Sequence, residues 1–475
     1  MKKNILITLL FFPILLFSWE RVYFEYQYSG AIGYDIVETS DKGFIAIGQA
    51  IDPHYHGSFY ILRIDSIGNK IWEKIFHEER NFNGLNSMTK TNDGNFIALG
   101  TFLNIIIKFD INGNIIWEKD IGKKFPSYYS VHFYKIINDR DNGFILCGYA
   151  STDYHPLYRF GFVIKIDSIG NVLWNKVFDN YDSELASIDK TDDNAYVVVG
   201  YKDYPGYDYY MIKFNDVGIL WEKSYAYSEY DDAAFSVKTD NDGNYIVGGY
   251  STENKATLFK LNKNGDILWE QKFDPRSPII SICNSHNNNG YTMITGCLFN
   301  WPLGYHYIIY KTDKNGNKIW EKEFNYYNTG ANGHSIKQTS DKGYIAVGVT
   351  NREHSSYHDI YIVKIDSTGS SSMKKYKTSI PKKKNPILYN SPNPFKTKTR
   401  IYYNIPQKGI VKIKIYNIKG QCIRILKAKH NSAGNYSILW NGKNDKNKNL
   451  SNNLYFYSLY LNNKVIKRKS MALFN

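Results

Sequence analysis

Six of the eleven histidines in this 475-residue chain fall in one recurring kind of segment, and tyrosine or tryptophan stands close to each of them. The segments are Asp52-Pro-His54-Tyr55-His56, Asp153-Tyr154-His155-Pro156, Asp203-Tyr-Pro-Gly-Tyr207, Trp301-Pro-Leu-Gly-Tyr305-His306 and His354-Ser-Ser-Tyr357-His358. Aromatic rings stack on sugars and on peptide side chains, and aromatic residues dominate binding hot spots. Imidazole titrates near neutrality and is a good ligand for divalent metals. The candidate binding set is therefore His54, Tyr55, His56, Tyr154, His155, Tyr207, Trp301, Tyr305, His306, His354, Tyr357 and His358. The bland reading is that loops drift, and that any exposed loop looks aromatic in a chain with 42 tyrosines. If the first and last repeats adjoin, His54 and His56 should neighbour His354 and His358. No metal is assigned to that group.

Catalytic constellations are missing from the sequence. No G-x-S-x-G, P-loop or H-E-x-x-H pattern occurs. Acid-rich turns such as Thr239-Asp-Asn-Asp-Gly243 are too short for a calcium loop, which needs a longer ligand series ending in Glu. The Gly-x-x-Gly spacings read as turns rather than phosphate cradles. The expectation is a binding or structural protein, not an enzyme, with no catalytic residue and no cofactor. The alternative is a secreted hydrolase or lyase acting on an extracellular polymer, built on the repeat fold read below, which would need clustered carboxylates or a metal in a central cavity.

The elements that must position these loops form a repeat of about fifty residues, used seven times. Gly48, Gly100, Gly148, Gly200, Gly248, Gly296 and Gly348 are spaced 48 or 52 residues apart. Each repeat then carries Asp/Asn-x-x-Gly, as in Asp65…Gly68 and Asp313…Gly316, followed by Trp72, Trp117, Trp174, Trp221, Trp269 or Trp320. Apolar, β-branched runs such as Gly43-Phe-Ile-Ala-Ile and Tyr60-Ile-Leu-Arg-Ile alternate with turn residues. In the Asp-Lys-Gly43 and Ser-Ile-Gly68 turns, Gly is expected to supply positive φ, and Asn194 stands in for it in the fourth repeat. Four strands per repeat is the signature of a β-propeller. The predicted fold is all-β: a seven-bladed propeller over residues 19–370. The seventh repeat lacks its Trp, and Trp19-Glu20-Arg21-Val22-Tyr23 matches Trp72 to Phe76, so the N-terminal strand should close the ring and remove two sheet edges. The tryptophans should lie between blades as core.

Successive strands alternate direction, so the two tight turns share one end of each sheet. The long, variable connections that hold the candidate binding residues share the other end, where insertions in repeat proteins often bind.

The ends of the chain suggest an address. Residues 1–18 read as a signal peptide, with Lys2 and Lys3 before a thirteen-residue apolar run from Ile5 to Phe17, too short to span a membrane. No later stretch is long and apolar enough to be a transmembrane segment. Formal charge is +14. Residues 371–475 hold 23 Lys and Arg against one acid, Asp445, for +22, which leaves −8 on the remainder. Residues 371–386 read as a basic linker. The basic segment beyond it also reads as folded, and export argues against nucleic acid as a partner. Cys147, Cys283, Cys297 and Cys422 lack C-x-x-C spacing and are expected as buried free thiols, with one bridge among them as the alternative in an exported protein.

Residues 387–475 carry short alternating strands, Arg400–Ile405, Val411–Tyr416, Tyr436–Trp440 and Leu454–Leu459, as an Ig-like β-sandwich would. The repeat over 19–370 resembles those of secreted bacterial seven-bladed propeller proteins, a resemblance that implies fold and export. Some propellers of that kind bind pyrroloquinoline quinone; no such site is seen here. Pro392-Asn-Pro-Phe395, Ile415 to Gln421, Trp440-Asn-Gly442 and Leu454 to Tyr457 resemble the C-terminal sorting domain of type IX secretion. They also resemble the Ig-like domain of flagellar hook-capping proteins. Asn441 stands where Asp is usual in that pattern, and Asn447 and Asn453 where Gly is usual. The resemblance implies the type IX secretion machinery as one partner and a secreted or cell-surface location. An extracellular protein or carbohydrate would be the ligand.

Overall fold

The computed structural model describes residues 18–23, 30–51, 57–76, 84–100, 104–152, 159–178, 182–203, 207–225, 232–251, 255–274, 277–286, 289–296, 307–325, 330–351, 358–371, 388–405, 407–432, 434–462 and 464–474. The expected leader (apart from Ser18) and linker (apart from Ser371) lie outside them. Beyond one 3-10 turn at Gly122–Lys124, the described secondary structure is all strand. The chain divides into two compact units, Met1–Met373 and Lys374–Asn475.

The first unit holds seven four-stranded antiparallel sheets in its described residues. In the first sheet, Gly30–Glu38, Phe44–Ile51, Gly57–Ile64 and Lys70–Phe76 pair in chain order. The next five repeat that order. In the seventh, Ala331–Gln338, Tyr344–Asn351 and His358–Ile365 are completed by Trp19–Tyr23, which pairs with the last of them in the register Trp19↔Lys364 to Tyr23↔Ile360. Trp19 is only 6% exposed. The first strands of the seven sheets are Gly30–Glu38, Leu85–Lys90, Ser130–Asn138, Ser183–Lys190, Ala233–Thr239, Ile279–Asn284 and Ala331–Gln338. Each lies against the next, and the last lies against the first. We call these the inner strands. Apolar clusters fill the spaces between successive sheets; Ile36, Phe44 and Leu62 of the first meet Ile345, Val347 and Ile360 of the seventh.

The repeated glycines have a reason the spacing did not show. Every inner strand carries a β-bulge, between Gly33 and Asp35 in the first sheet and between Leu185 and Ser187 in the fourth. A bulge pushes a carbonyl out of the ladder. A Cβ on Gly48 would sit 1.8 Å from the Ile32 carbonyl, and one on Gly200 1.7 Å from that of Glu184. Only glycine fits there. The residue after the bulge then links sheet to sheet. Ser87, Ser187, Ser236 and Ser281 accept hydrogen bonds from the amides of Ile136, Val237, Ile282 and Ile336 in the following inner strands, at 3.1–3.3 Å. Asp35 accepts from the Met88 amide at 3.0 Å and from the Ser335 hydroxyl of the seventh sheet at 2.7 Å.

Three expectations need correction. In the first turn, positive φ falls on Lys42 (65°), Asn142 (67°), Asn194 (61°) and Lys342 (70°), one residue before the expected Gly. Asn194 thus matches Lys42, and Gly43 matches Ala195. The tryptophans do pack against the clusters between sheets, as expected, but only Trp19 of the series is fully buried. Most are half-buried and lie over a turn glycine of the neighbouring sheet. A Cβ on Gly68, Gly113, Gly170, Gly316 or Gly369 would come within 3.0 Å of Trp19, Trp72, Trp117, Trp269 or Trp320. Cys147 and Cys283 are buried and free, but Cys422 is exposed.

The second unit has two sheets. One is Leu388–Ser391, Thr399–Ile405 and Gly434–Trp440; the other is Cys422–His430, Gly409–Tyr416, Asn453–Leu461 and Lys464–Leu473. Ile401, Tyr403 and Trp440 of the first share a core with Ile413, Ile415, Tyr457 and Leu459 of the second. Asn447 takes φ of 60°, the left-handed conformation that Gly would supply.

Candidate functional site

The two ends of the sheets in the first unit differ in chemistry. At the tight-turn end, side chains are spent on their own backbone. Asp65 accepts from the amides of Ile67 and Asn69 at 3.0 and 2.8 Å, and Asp110, Asp167, Asn262, Asp313 and Asp366 repeat the pattern. In the preceding turn, acids receive a buried base from the third strand. Arg63, Lys108, Lys213 and Lys364 reach Asp41, Asp93, Asp193 and Asp341 at 2.5–2.8 Å. Lys165 and Lys260 do the same with Asp139 and Asp240 at 2.6 and 2.7 Å. Among the described residues, the carboxylates of these turns are thus already engaged. Sequence reading missed these bases. Their signal was a Lys or Arg at one place in an otherwise apolar run of every repeat.

At the opposite end the described residues build a cluster between the third and fourth sheets. Glu184, on the inner strand of the fourth sheet, is 3% exposed. It accepts from the Tyr134 hydroxyl at 2.6 Å and forms an ion pair with Arg159. Tyr201 also hydrogen-bonds to it. Arg159 starts the third strand of its sheet, and its guanidinium lies 4.9 Å from the centroid of the Tyr149 ring. His132 stacks on Tyr149 at 4.8 Å, and Tyr134 lies 6.0 Å from it. Tyr207 meets Tyr201 edge-to-face at 5.0 Å. Burial raises the Tyr134 hydroxyl well above its ordinary 10, with the nearby Glu184 charge adding to the rise. Burial, then Glu184, push Tyr149 to about 12. Burial lowers the His132 pKa, against an opposing pull from Glu184. The group is thus a set of neutral rings around one ion pair whose carboxylate is buried and whose guanidinium is partly exposed. It suits stacking plus charge-assisted hydrogen bonding to a ligand hydroxyl or carboxylate.

A second group lies at the same end, where the first sheet meets the seventh. His334 packs 5.2 Å from Tyr34, and its Nδ1 lies 2.7 Å from the Gly33 carbonyl oxygen. Burial pushes Tyr34 to about 12. His358 Nδ1 lies 2.7 Å from Asn351 Oδ1, and a Cβ on Gly30 would come within 2.8 Å of the His358 carbonyl.

Of the residues read as candidates in the sequence, Tyr207 and His358 are described. Each starts the third strand of its sheet, at the register position that Arg159 holds in the third. His54, Tyr55, His56, Tyr154, His155, Trp301, Tyr305, His306, His354 and Tyr357 lie outside the described residues. The connections that carry them do leave the ends where these two clusters sit. Sequence reading missed His132, Tyr134, Tyr149, Arg159 and Glu184, because only strand register brings them together. Among the described residues, no group of three His, Cys, Asp or Glu is arranged to hold a metal ion.

No protein-family model matches the chain, and no curated protein matches it in sequence. Solved structures do. The chain is similar to a streptogramin B lyase at 14% identity and a TM-score of 0.50, over 73% of this chain and 98% of that one. It is likewise similar to a catalytically inactive virginiamycin B lyase from Staphylococcus aureus, solved with quinupristin, at 13% identity and a TM-score of 0.51, over 73% and 99% of the two chains. At such identities the likeness speaks to fold alone. The class is a β-propeller built of repeats.

Proposed function

We propose that this chain is an exported binding protein of the cell surface or surrounding medium. In this reading the seven sheets are the blades of a seven-bladed propeller, closed by the strand Trp19–Tyr23. The second unit is an Ig-like sandwich that directs type IX secretion or surface attachment. The ligand is an extracellular protein or carbohydrate, held at the end that bears the long connections. One observation carries the reading. Arg159, Glu184 and the surrounding Tyr134, Tyr149 and Tyr201 gather at that end, while the carboxylates of the opposite turns are taken up by their own amides and by buried bases.

The test is an array of glycans and peptides probed with the full chain. Binding to a hit should fall at least tenfold in Tyr149→Ala and in a combined Tyr55, His56, Tyr154, Tyr207 and Tyr305→Ala variant, about 1.4 kcal/mol or more. The combined Lys42, Lys342 and Asn69→Ala variant should bind as the parent does. The reverse pattern would move the site to the tight-turn end. A rival reading, a secreted lyase or hydrolase acting on a polymer, draws on the names of the two structural neighbours and on the proximity of His132, Tyr134 and Glu184. It predicts release of fragments from a polymer incubated with the protein, and loss of that release in His132→Ala.

A further inference from the structure

The inner strands carry one substitution that breaks their own rule. The residue after the bulge is Ser87, Ser187, Ser236, Ser281 and Ser335 in five sheets and Asp35 in the first, and all of these make hydrogen bonds between sheets. In the third sheet it is Lys135. An ammonium has no acceptor, so it cannot take the amide of the next strand as serine does. Lys135 instead lies 3.9 Å from Asp35 Oδ2, across from its own strand. That carboxylate is already occupied by the amides of Ile36 and Met88 and by the Ser335 hydroxyl at 2.7–3.0 Å. Lys337 of the seventh sheet approaches the other Asp35 oxygen at 3.4 Å. Lys238 of the fifth pairs with Asp189 of the fourth at 3.2 Å. Three ammonium groups from three inner strands therefore face two carboxylates, which leaves one positive charge uncompensated. The side chains of Lys135, Lys238 and Lys337 keep 25, 31 and 31% exposure although they stand on the innermost strands, so solvent reaches them. Burial, then Lys337, lower the Lys135 pKa to about 8, and Lys238 acts in the same direction. These lysines feel one another.

We propose that this passage between the inner strands holds a small inorganic oxyanion, of the phosphate or sulfate class, between Lys135, Lys238 and Lys337. A tetrahedral oxyanion offers separate oxygens to donors arriving from separate strands, and charge-assisted bonds of this kind are the strong ones. It supplies the negative charge that the two carboxylates leave wanting. Lys135 directly follows Tyr134 of the aromatic cluster, but the lysines that would hold the anion are not members of that cluster.

The test is isothermal titration of the full chain with inorganic phosphate, sulfate and chloride, alongside Lys135→Ser. That variant installs the residue five other sheets use, so it should fold and melt no lower than the parent. The parent should bind phosphate or sulfate at one site, and K135S should bind at least tenfold more weakly. Lys446→Ser, in the second unit, should bind as the parent does. Equal binding by parent and K135S would overturn the proposal, as would no heat from the parent at about 10 mM anion, where a millimolar site is mostly filled. Chloride binding as tightly as phosphate would refute the oxyanion class. Equal loss in K446S would mean general attraction to a basic surface.

Discussion

At the scale of single residues, the tight turns show where local chemistry is well spent and where it is not. Lys342 adopts φ of 70°, a conformation that costs a side chain with a Cβ roughly 1 kcal/mol and that Asn tolerates better. Lys342→Asn copies what Asn142 and Asn194 already do. It should stabilise the first unit by about 0.5 kcal/mol, read as a higher urea midpoint at an unchanged slope; a lower midpoint would refute the account. The buried bases matter more. Lys213 is 4% exposed and meets Asp193 at 2.6 Å. Lys213→Ala should cost about 2 kcal/mol, less than a fully buried pair, because Asp193 keeps access to water. The acids set the response to pH. At Asp65, Asp110, Asp167 and Asp313, burial works against the charge, but amides of the same turn outweigh it and hold each carboxyl below 3.8. A carboxyl with a folded pKa below its unfolded one adds stability above the unfolded value and loses it as pH falls through the folded value. The thermal midpoint should therefore be steady above about pH 5 and fall below about pH 4. A midpoint at about pH 3 equal to that at neutrality would contradict this.

At the scale of elements, two features decide whether a sheet forms and joins its neighbours. In five sheets a glycine opposite the bulge has an inner-strand carbonyl within about 2 Å of where its Cβ would sit, while Thr295 takes the place in the sixth. Gly200→Ala would place a methyl 1.7 Å from the Glu184 carbonyl, and overpacking of that kind costs about 1–3 kcal/mol. Because Glu184 anchors Tyr134 and Arg159, the same change should also weaken any ligand bound at that cluster. The last strand of the seventh sheet comes from the other end of the chain. Removing Trp19–Tyr23 would strip Tyr361 of the Glu20 carboxylate that accepts its hydroxyl hydrogen bond, and would uncover Gly68. Loss of a buried Trp alone is worth about 3–5 kcal/mol, and an exposed edge invites aggregation. Melting unchanged by that deletion would rule out a structural role. Much of this was legible in the sequence. Repeated Gly and Trp spacing exposed the units, and the match of Trp19–Tyr23 to Trp72–Phe76 anticipated the pairing now seen with His358–Ile365. The bulge was not legible, because a bulge is set by how sheets meet, and the Ser that follows it in five inner strands does not by itself signal one. Nor was the Glu184 cluster, whose members lie on six strands of two sheets. The placement of positive φ one residue early, at Lys42 rather than Gly43, failed for a local reason. Gly43 is needed because a Cβ there would strike Arg63 and the Ile64 carbonyl, a tertiary demand that turn chemistry alone does not contain.

At the scale of the whole molecule, the two units have separate cores and opposite charge. The core of Lys374–Asn475 draws on Leu388, Trp440, Tyr457 and their neighbours, all within that unit, and the seven clusters of the first unit draw only on residues up to Ile365. Units that share no core can fold alone. The first unit should therefore keep its stability when the second is removed. A chain ending at Met373 should unfold with the urea midpoint of the first transition of the full chain. A drop worth more than about 1 kcal/mol would show coupling between the units. The same shortened chain tests the address. Residues 371–475 carry +22 and the remainder −8, so the basic unit is chemically set apart from the sheets it follows. If it directs export, the shortened chain should fold yet stay inside the cell, and the full chain should reach the outer surface. Fractionation of cells expressing each form gives the answer. Full yield of the shortened chain at the surface would remove the sorting role and leave the hook-capping-like structural role as the better account of residues 387–475.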